Sequence, residues 1–109
     1  MKTWLVAGLI ALAIALGAFQ ALPRCTVVDP DTGKVGDMIA VKGENLDKGN
    51  IAEVYLTDGS KDTKAPISEQ TGTEIKFKVP EIKPGRYHLA MLTANRASMI
   101  EQPVVLTVE

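Results

Sequence analysis

The chain has 109 residues and a formal net charge of −1, with 12 Lys and Arg against 13 Asp and Glu. A balance this close to neutral supplies no long-range field for gathering nucleic acid, which a basic domain of this size would show. One histidine and one cysteine leave little material for nucleophilic or metal chemistry, and so short a chain has room for one compact domain and not two.

The first two dozen residues differ from the rest. Lys2 precedes a run from Trp4 to Leu22 that is apolar apart from Gln20. Its length falls between the apolar core of a secretory signal and the roughly 18 residues that begin to span a bilayer. Residues 1–24 therefore read as a signal peptide or membrane anchor with its junction, and residues 25–109 as the folded domain. A small-x-small site at Ala15-Leu16-Gly17 favours removal, with a mature end expected between Ala18 and Cys25. Lys2 before the run and Asp29 and Asp31 after it place the C-terminal part outside the cytoplasmic membrane. The expected location is periplasmic, secreted or cell-surface, with membrane contact only through residues 1–22 if they stay uncleaved. Cys25 follows Leu22-Pro23-Arg24, where a lipid-attachment site would carry small residues, so it reads as a free thiol in the linker. As the lone cysteine it has no internal disulfide partner.

From Val27 the chain reads as short strands cut by turns. Val27-Val28 comes first, then Met38 to Lys42, with glycines 33, 36 and 43 at the bends on either side. The polar loop Gly43–Asn50 leads to Ile51–Thr57, and Asp58-Gly59 turns the chain back. Lys61–Ser68 is weaker, because Pro66 demotes Lys64–Ile67 to an edge strand. Glu74–Val79 has the cleanest alternation, with Ile75, Phe77 and Val79 on one side and Glu74, Lys76 and Lys78 on the other. Pro80 stops it, Pro84-Gly85 opens Arg86–Ala94, and the last strand runs from Pro103 to Val108. Prolines at 30, 66, 80, 84 and 103 leave no interval for a stable helix after the leader. About seven such strands predict an all-β, antiparallel sandwich behind an N-terminal hydrophobic helix.

Strand parity gives a core of Ile39, Val41, Val54, Leu56, Ile75, Phe77, Val79, Tyr87, Leu89, Leu106 and Val108. It also gives an unusual outer side. Arg86–Ala94 turns His88, Ala90, Leu92 and Ala94 outward, and with this strand between the one carrying Tyr55 and the one carrying Val105 and Thr107 these side chains share one face. Tyr55, His88, Ala90, Leu92, Val105 and Thr107 are thus the candidate interaction face, expected as a continuous patch of the kind monomeric domains seldom leave bare.

No catalytic or metal site is expected. His88 and Cys25 are unmatched by spacing. Asp29, Asp31 and Asp37, and likewise Asp58, Ser60 and Asp62, loosely suggest calcium but lack a terminal bidentate glutamate, and turn formation accounts for them.

The order Pro30, Gly33, Gly36, the strand of Ile39 and Val41, Gly43 with Asn45, the alternating strand closed by Pro80, and Gly85 with Tyr87 resembles the IPT/TIG domain, an immunoglobulin-like family. Leu46 stands where that family most often has an aromatic residue. The resemblance implies a non-catalytic module without cofactor, of the kind found on bacterial surface and secreted proteins. The expected function is protein–protein or structural interaction at the cell envelope. The alternative is a carbohydrate-binding accessory protein that recognises a cell-surface polysaccharide.

Overall fold

The computed structural model describes residues 22–109; the leader, through residue 21, lies outside the described residues. Nine strands follow in order: β1 (Arg24–Asp29), β2 (Thr32–Gly33), β3 (Met38–Glu44), β4 (Ile51–Thr57), β5 (Asp62–Ala65), β6 (Ile67–Gln70), β7 (Glu74–Lys78), β8 (Gly85–Thr93) and β9 (Met99–Val108). They form two sheets, β1-β3-β7-β6 and β2-β9-β8-β4-β5, and every pairing is antiparallel except β2 with β9. The segments expected as strands all lie in these sheets, and the fold is the sandwich that alternation and turn spacing predict, of the immunoglobulin-like kind that the resemblance implies.

Other strand ends shift by one or two residues and the two-residue β2 is not among the roughly seven strands expected, while three larger differences each have a physical reason. The weak segment around Pro66 is two strands in different sheets, β5 and β6. Proline has no N–H to continue a ladder, and here its carbonyl instead accepts from Lys78 N at 2.9 Å, which carries the chain across to the other sheet. The last strand starts at Met99 and not at Pro103, because the proline sits where the β8–β9 register jumps from His88↔Val105 to Ala90↔Glu101 and no ladder donor is needed. The first strand starts at Arg24, ahead of Val27, so Cys25 is no linker residue: it is 1% exposed and part of the core.

All eleven side chains assigned inward by parity are buried. Among the described residues the core also takes in Cys25, Leu46, Ile51, Ala65 and Met91. Leu46 fills the interior from a loop. Its N–H donates to Gly72 O at 3.0 Å and its carbonyl accepts from Gln70 Nε2 at 2.8 Å, which leaves the isobutyl group nowhere but inward.

One buried polar side chain clasps the two sheets. Gln102, 3% exposed, accepts from Cys25 N at 2.7 Å and donates to Pro23 O at 3.2 Å. The start of β1 in one sheet is thereby tied to β9 in the other. Burial pushes the Cys25 thiol up to about 12, so it is fully protonated at neutral pH. Cys25 is therefore expected to resist a maleimide in the native domain and to react once the domain is denatured. Fast labelling under native conditions would mean that β1 is not docked.

Candidate functional site

The outer face of the five-stranded sheet is where chemistry-bearing side chains converge. In β4, Val54 and Leu56 point into the core, so alternation turns Glu53, Tyr55 and Thr57 outward. Glu53 is pinned there: Arg96 Nη1 lies 2.6 Å from Oε1, Lys64 Nζ lies 3.1 Å from Oε2, and the Tyr55 hydroxyl donates to Oε2 at 3.1 Å. The guanidinium of Arg96 leads, with Lys64 and Tyr55 behind it, in holding the Glu53 carboxyl down at about 2. Tyr55 moves the other way, raised by its sheltered position and by the carboxylate it donates to.

Arg96 reaches Glu53 because of the β8–β9 turn. Thr93 N donates to Ser98 O at 3.0 Å, Arg96 N donates to Thr93 O at 2.8 Å, and the Asn95 side chain accepts from Thr93 Oγ1 and Ala97 N. This geometry holds Arg96 at φ 59, a left-handed conformation that costs a non-glycine residue about 1 kcal/mol.

A depressed carboxylate gives a definite acid response. The folded state binds Glu53's proton less readily than the unfolded chain, whose ordinary value is 4.5, so the stabilisation is complete above that value and is lost as pH falls toward about 2. Parent protein is expected to melt higher than Glu53→Gln near neutrality, with the gap closing over that acid range. A gap that stays constant across it would mean that the Arg96–Glu53–Lys64 cluster contributes nothing to the pH dependence.

The residues of the candidate face all lie on this surface, with β8 between β4 and β9 as expected. Tyr55 pairs with Ala90, His88 with Val105, Arg86 with Thr107, and Leu92 with Met99. His88 is exposed, Tyr55, Leu92, Val105 and Thr107 are half-buried, and Ala90 is buried at the floor between its neighbours. The face is less continuously apolar than parity alone suggests. The bulge puts Glu101, and not Pro103, opposite Ala90, and Ala94 leaves the sheet to donate its N–H to Asn50 O at 2.8 Å. His88 Nδ1 lies 3.3 Å from Gln102 O. Of the charged residues here, Lys64 was within reach of sequence reasoning, since a hairpin at Asp58-Gly59 sets it against Tyr55. Arg96 and Glu101 carried no such signal.

The acidic turn residues are engaged in local structure. Asp58 Oδ1 accepts from the N–H groups of Ser60 and Lys61 at 2.9 and 2.8 Å and from the Ser60 hydroxyl at 3.0 Å, bonds that lower its pKa. Asp37 Oδ2 accepts from Lys34 N at 2.9 Å. Beside the Asp58 turn an open groove of about 630 Å³ is lined by Lys61, Glu81, Lys83 and Tyr87, among others. The Tyr87 ring is buried, and its hydroxyl is taken up by Lys83 O at 2.6 Å.

Known proteins place this fold. A protein of unknown function from Bacteroides thetaiotaomicron is 18% identical with a TM-score of 0.69, over 82% of this chain and 22% of that one. A gamma-CGTase from alkalophilic Bacillus clarkii is 19% identical with a TM-score of 0.66, over 81% and 12%. The Bacteroides ovatus protein SGBP-B of a mixed-linkage glucan utilization locus, solved with a mixed-linkage heptasaccharide, is 21% identical with a TM-score of 0.51, over 72% and 20%. The chain thus spans about a fifth or less of each of these structures, and at such identities the likeness is one of fold alone. No curated protein matches it. The IPT/TIG domain family, however, matches residues 23–108, nearly the whole of the two-sheet sandwich, and the chain belongs to that family.

Proposed function

We propose that this protein is an exported, non-catalytic binding module that contacts a protein partner at the cell envelope through the outer face of its five-stranded sheet. The observation that carries this is the set of half-exposed apolar side chains on that face. Tyr55, Leu92 and Val105 lie there beside Met99, which is 41% exposed, and apolar area grouped on one sheet face marks contact surfaces. A non-catalytic role is supported by the position of the two reactive side chains. The Cys25 thiol lies in the core and His88 on the outside, so neither can activate the other. Export rests on Lys2 and the apolar run that follows it.

A protein partner suits the face better than a polysaccharide. Sugar platforms need accessible rings, and Phe77 and Tyr87 are buried, which leaves, of the Phe, Tyr and Trp rings among the described residues, the half-buried one of Tyr55 with its hydroxyl committed to Glu53. The test is crosslinking of the full chain in intact cells with mass identification of what is captured. Leu92→Glu with Val105→Glu is expected to abolish capture while the melting curve of the domain is preserved. Capture at parental levels by a folded double variant would remove this face from consideration.

A further inference from the structure

The charge and size pattern of this face identifies its partner's chemistry. One cross-strand row runs over four adjacent strands: Lys64 on β5, Tyr55 on β4, Ala90 on β8 and Glu101 on β9. Read in that direction the row is cation, bulky ring, small residue, anion. Read backwards it is anion, small residue, bulky ring, cation. A row of this kind is complementary to its own reverse.

Around Glu53 the cations outnumber the anion, since Lys64 and Arg96 share its one carboxylate; the next anion on this face of the β4–β5 flank, Asp62, lies one pair further along, opposite Thr57. On the opposite flank Glu101 is exposed and makes no ion pair among the described residues. Between them the buried Ala90 makes a dip beside the half-buried Tyr55. Strands lie about 4.8 Å apart, so the ends of the row are about 14 Å apart, and its midpoint falls between β4 and β8.

We infer that the partner of this face is a second copy of the same chain, related by a two-fold axis that runs parallel to the strands in the plane between the two facing sheets, above the gap between β4 and β8. The inference rests on the contact face proposed above and names its occupant. The rotation lays each row against its own reverse. Glu101 of each copy then meets Lys64 of the other, and each Tyr55 ring lies over the Ala90 dip opposite. In the neighbouring row the same rotation sets Leu92 of each copy over the Glu53 position of the other, with Met99 beside it. Such a contact is isologous and closes at two copies, and the strands of the two sheets run aligned, a common packing for sheets face to face.

Sedimentation equilibrium on residues 22–109 tests it. The parent is expected to dimerise. Glu101→Lys and Lys64→Glu are each expected to weaken self-association by at least about tenfold, since each breaks two symmetry-related charge pairs. An equimolar mixture of the two single variants should form a one-to-one heterodimer, because one then carries cations at both ends of the row and the other anions at both ends. Melting curves of the singles, both altered at exposed positions, verify that they are folded. A parent that stays monomeric at millimolar concentration overturns the inference, as does a dimer indifferent to both reversals or a mixture that forms no heterodimer. If the parent is monomeric yet the full chain captures a different envelope protein through Leu92 and Val105, the contact face stands and its assignment to a second copy fails. If there is neither dimer nor capture, both fail.

Discussion

Replacing Phe77 with alanine is expected to remove about 3–5 kcal/mol of stability, a large part of the roughly 5–15 kcal/mol that a small domain has in total. The ring is fully buried at the centre of the four-stranded sheet, with Ile39 of β3 on one side and Ile67 of β6 on the other. Both neighbours are held by their own ladders, so the space left by the ring does not collapse, and the cost includes a cavity as well as lost transfer energy. For a domain of this size that corresponds to a fall in melting temperature of about 12 °C or more. Lys76→Ala, on the solvent side of the same strand, should by contrast stay within about 0.5 kcal/mol. Thermal melts followed by circular dichroism decide the matter, and equal melting of Phe77→Ala and the parent would mean that β7 faces the other way.

Gly43→Ala is expected to be comparably damaging, by about 3 kcal/mol, the upper end of what small-to-large changes in packed sites usually cost. The first strand bulges between Cys25 and Val27, and its backbone passes directly over Gly43. A Cβ at this position would overlap the Arg24 carbonyl oxygen and come within 2.9 Å of Arg24 C and Cys25 Cα. Those atoms are backbone, so relief requires displacing β1, and with it the core contacts of Cys25 and the clasp of Gln102. Gly33→Ala is the matched control, because its new methyl meets only side chains, Ile39 Cδ1 at 3.1 Å and Asp37 at 3.5 Å. If the two alanine variants melt together, the close approach of β1 does not limit stability.

How much of this was legible in the sequence depended on whether a period-two signal was present. Ile75, Phe77 and Val79 alternate with charged residues, so their burial could be read directly, and the same held for Val54 with Leu56 and for Tyr87 with Leu89. Cys25 lies ahead of any alternating run, and nothing in Arg24-Cys25-Thr26 distinguishes a strand from a junction. Pro66 reads as demoting Lys64–Ile67 to an edge strand, and β5 and β6 do lie at sheet edges, but a weakened strand and a change of sheet look alike until the partners are known. At the candidate face, the grouping of Tyr55, His88, Leu92 and Val105 followed from parity and strand order. The cation–anion row did not, because Glu101 faces Ala90 only through the irregularity at Gln102–Val104. Arg96 was hidden for a different reason: it holds a left-handed turn position without being glycine or asparagine, so the sequence carries no mark of the turn that aims it at Glu53.

The anchoring of the chain where it enters the fold has a consequence for geometry at a membrane. Asn45 Nδ2 donates to Leu22 O at 3.0 Å and Gln102 Nε2 to Pro23 O, so the polypeptide is fixed from the residue at which the apolar run of the sequence ends. If the leader were retained, the head would stand on the bilayer by the loops around Asn45 and Gly72. Val108, paired with Gly85, lies at the opposite pole. In that case the strands would run roughly along the membrane normal, and the outer face of the five-stranded sheet would look sideways. A two-fold axis along the strands leaves both entry points on the same side, the one arrangement two anchored copies in a single bilayer can share. Confinement to that plane would raise their effective concentration far above its value in solution, so a contact too weak to persist in a dilute tube could be saturated on the cell.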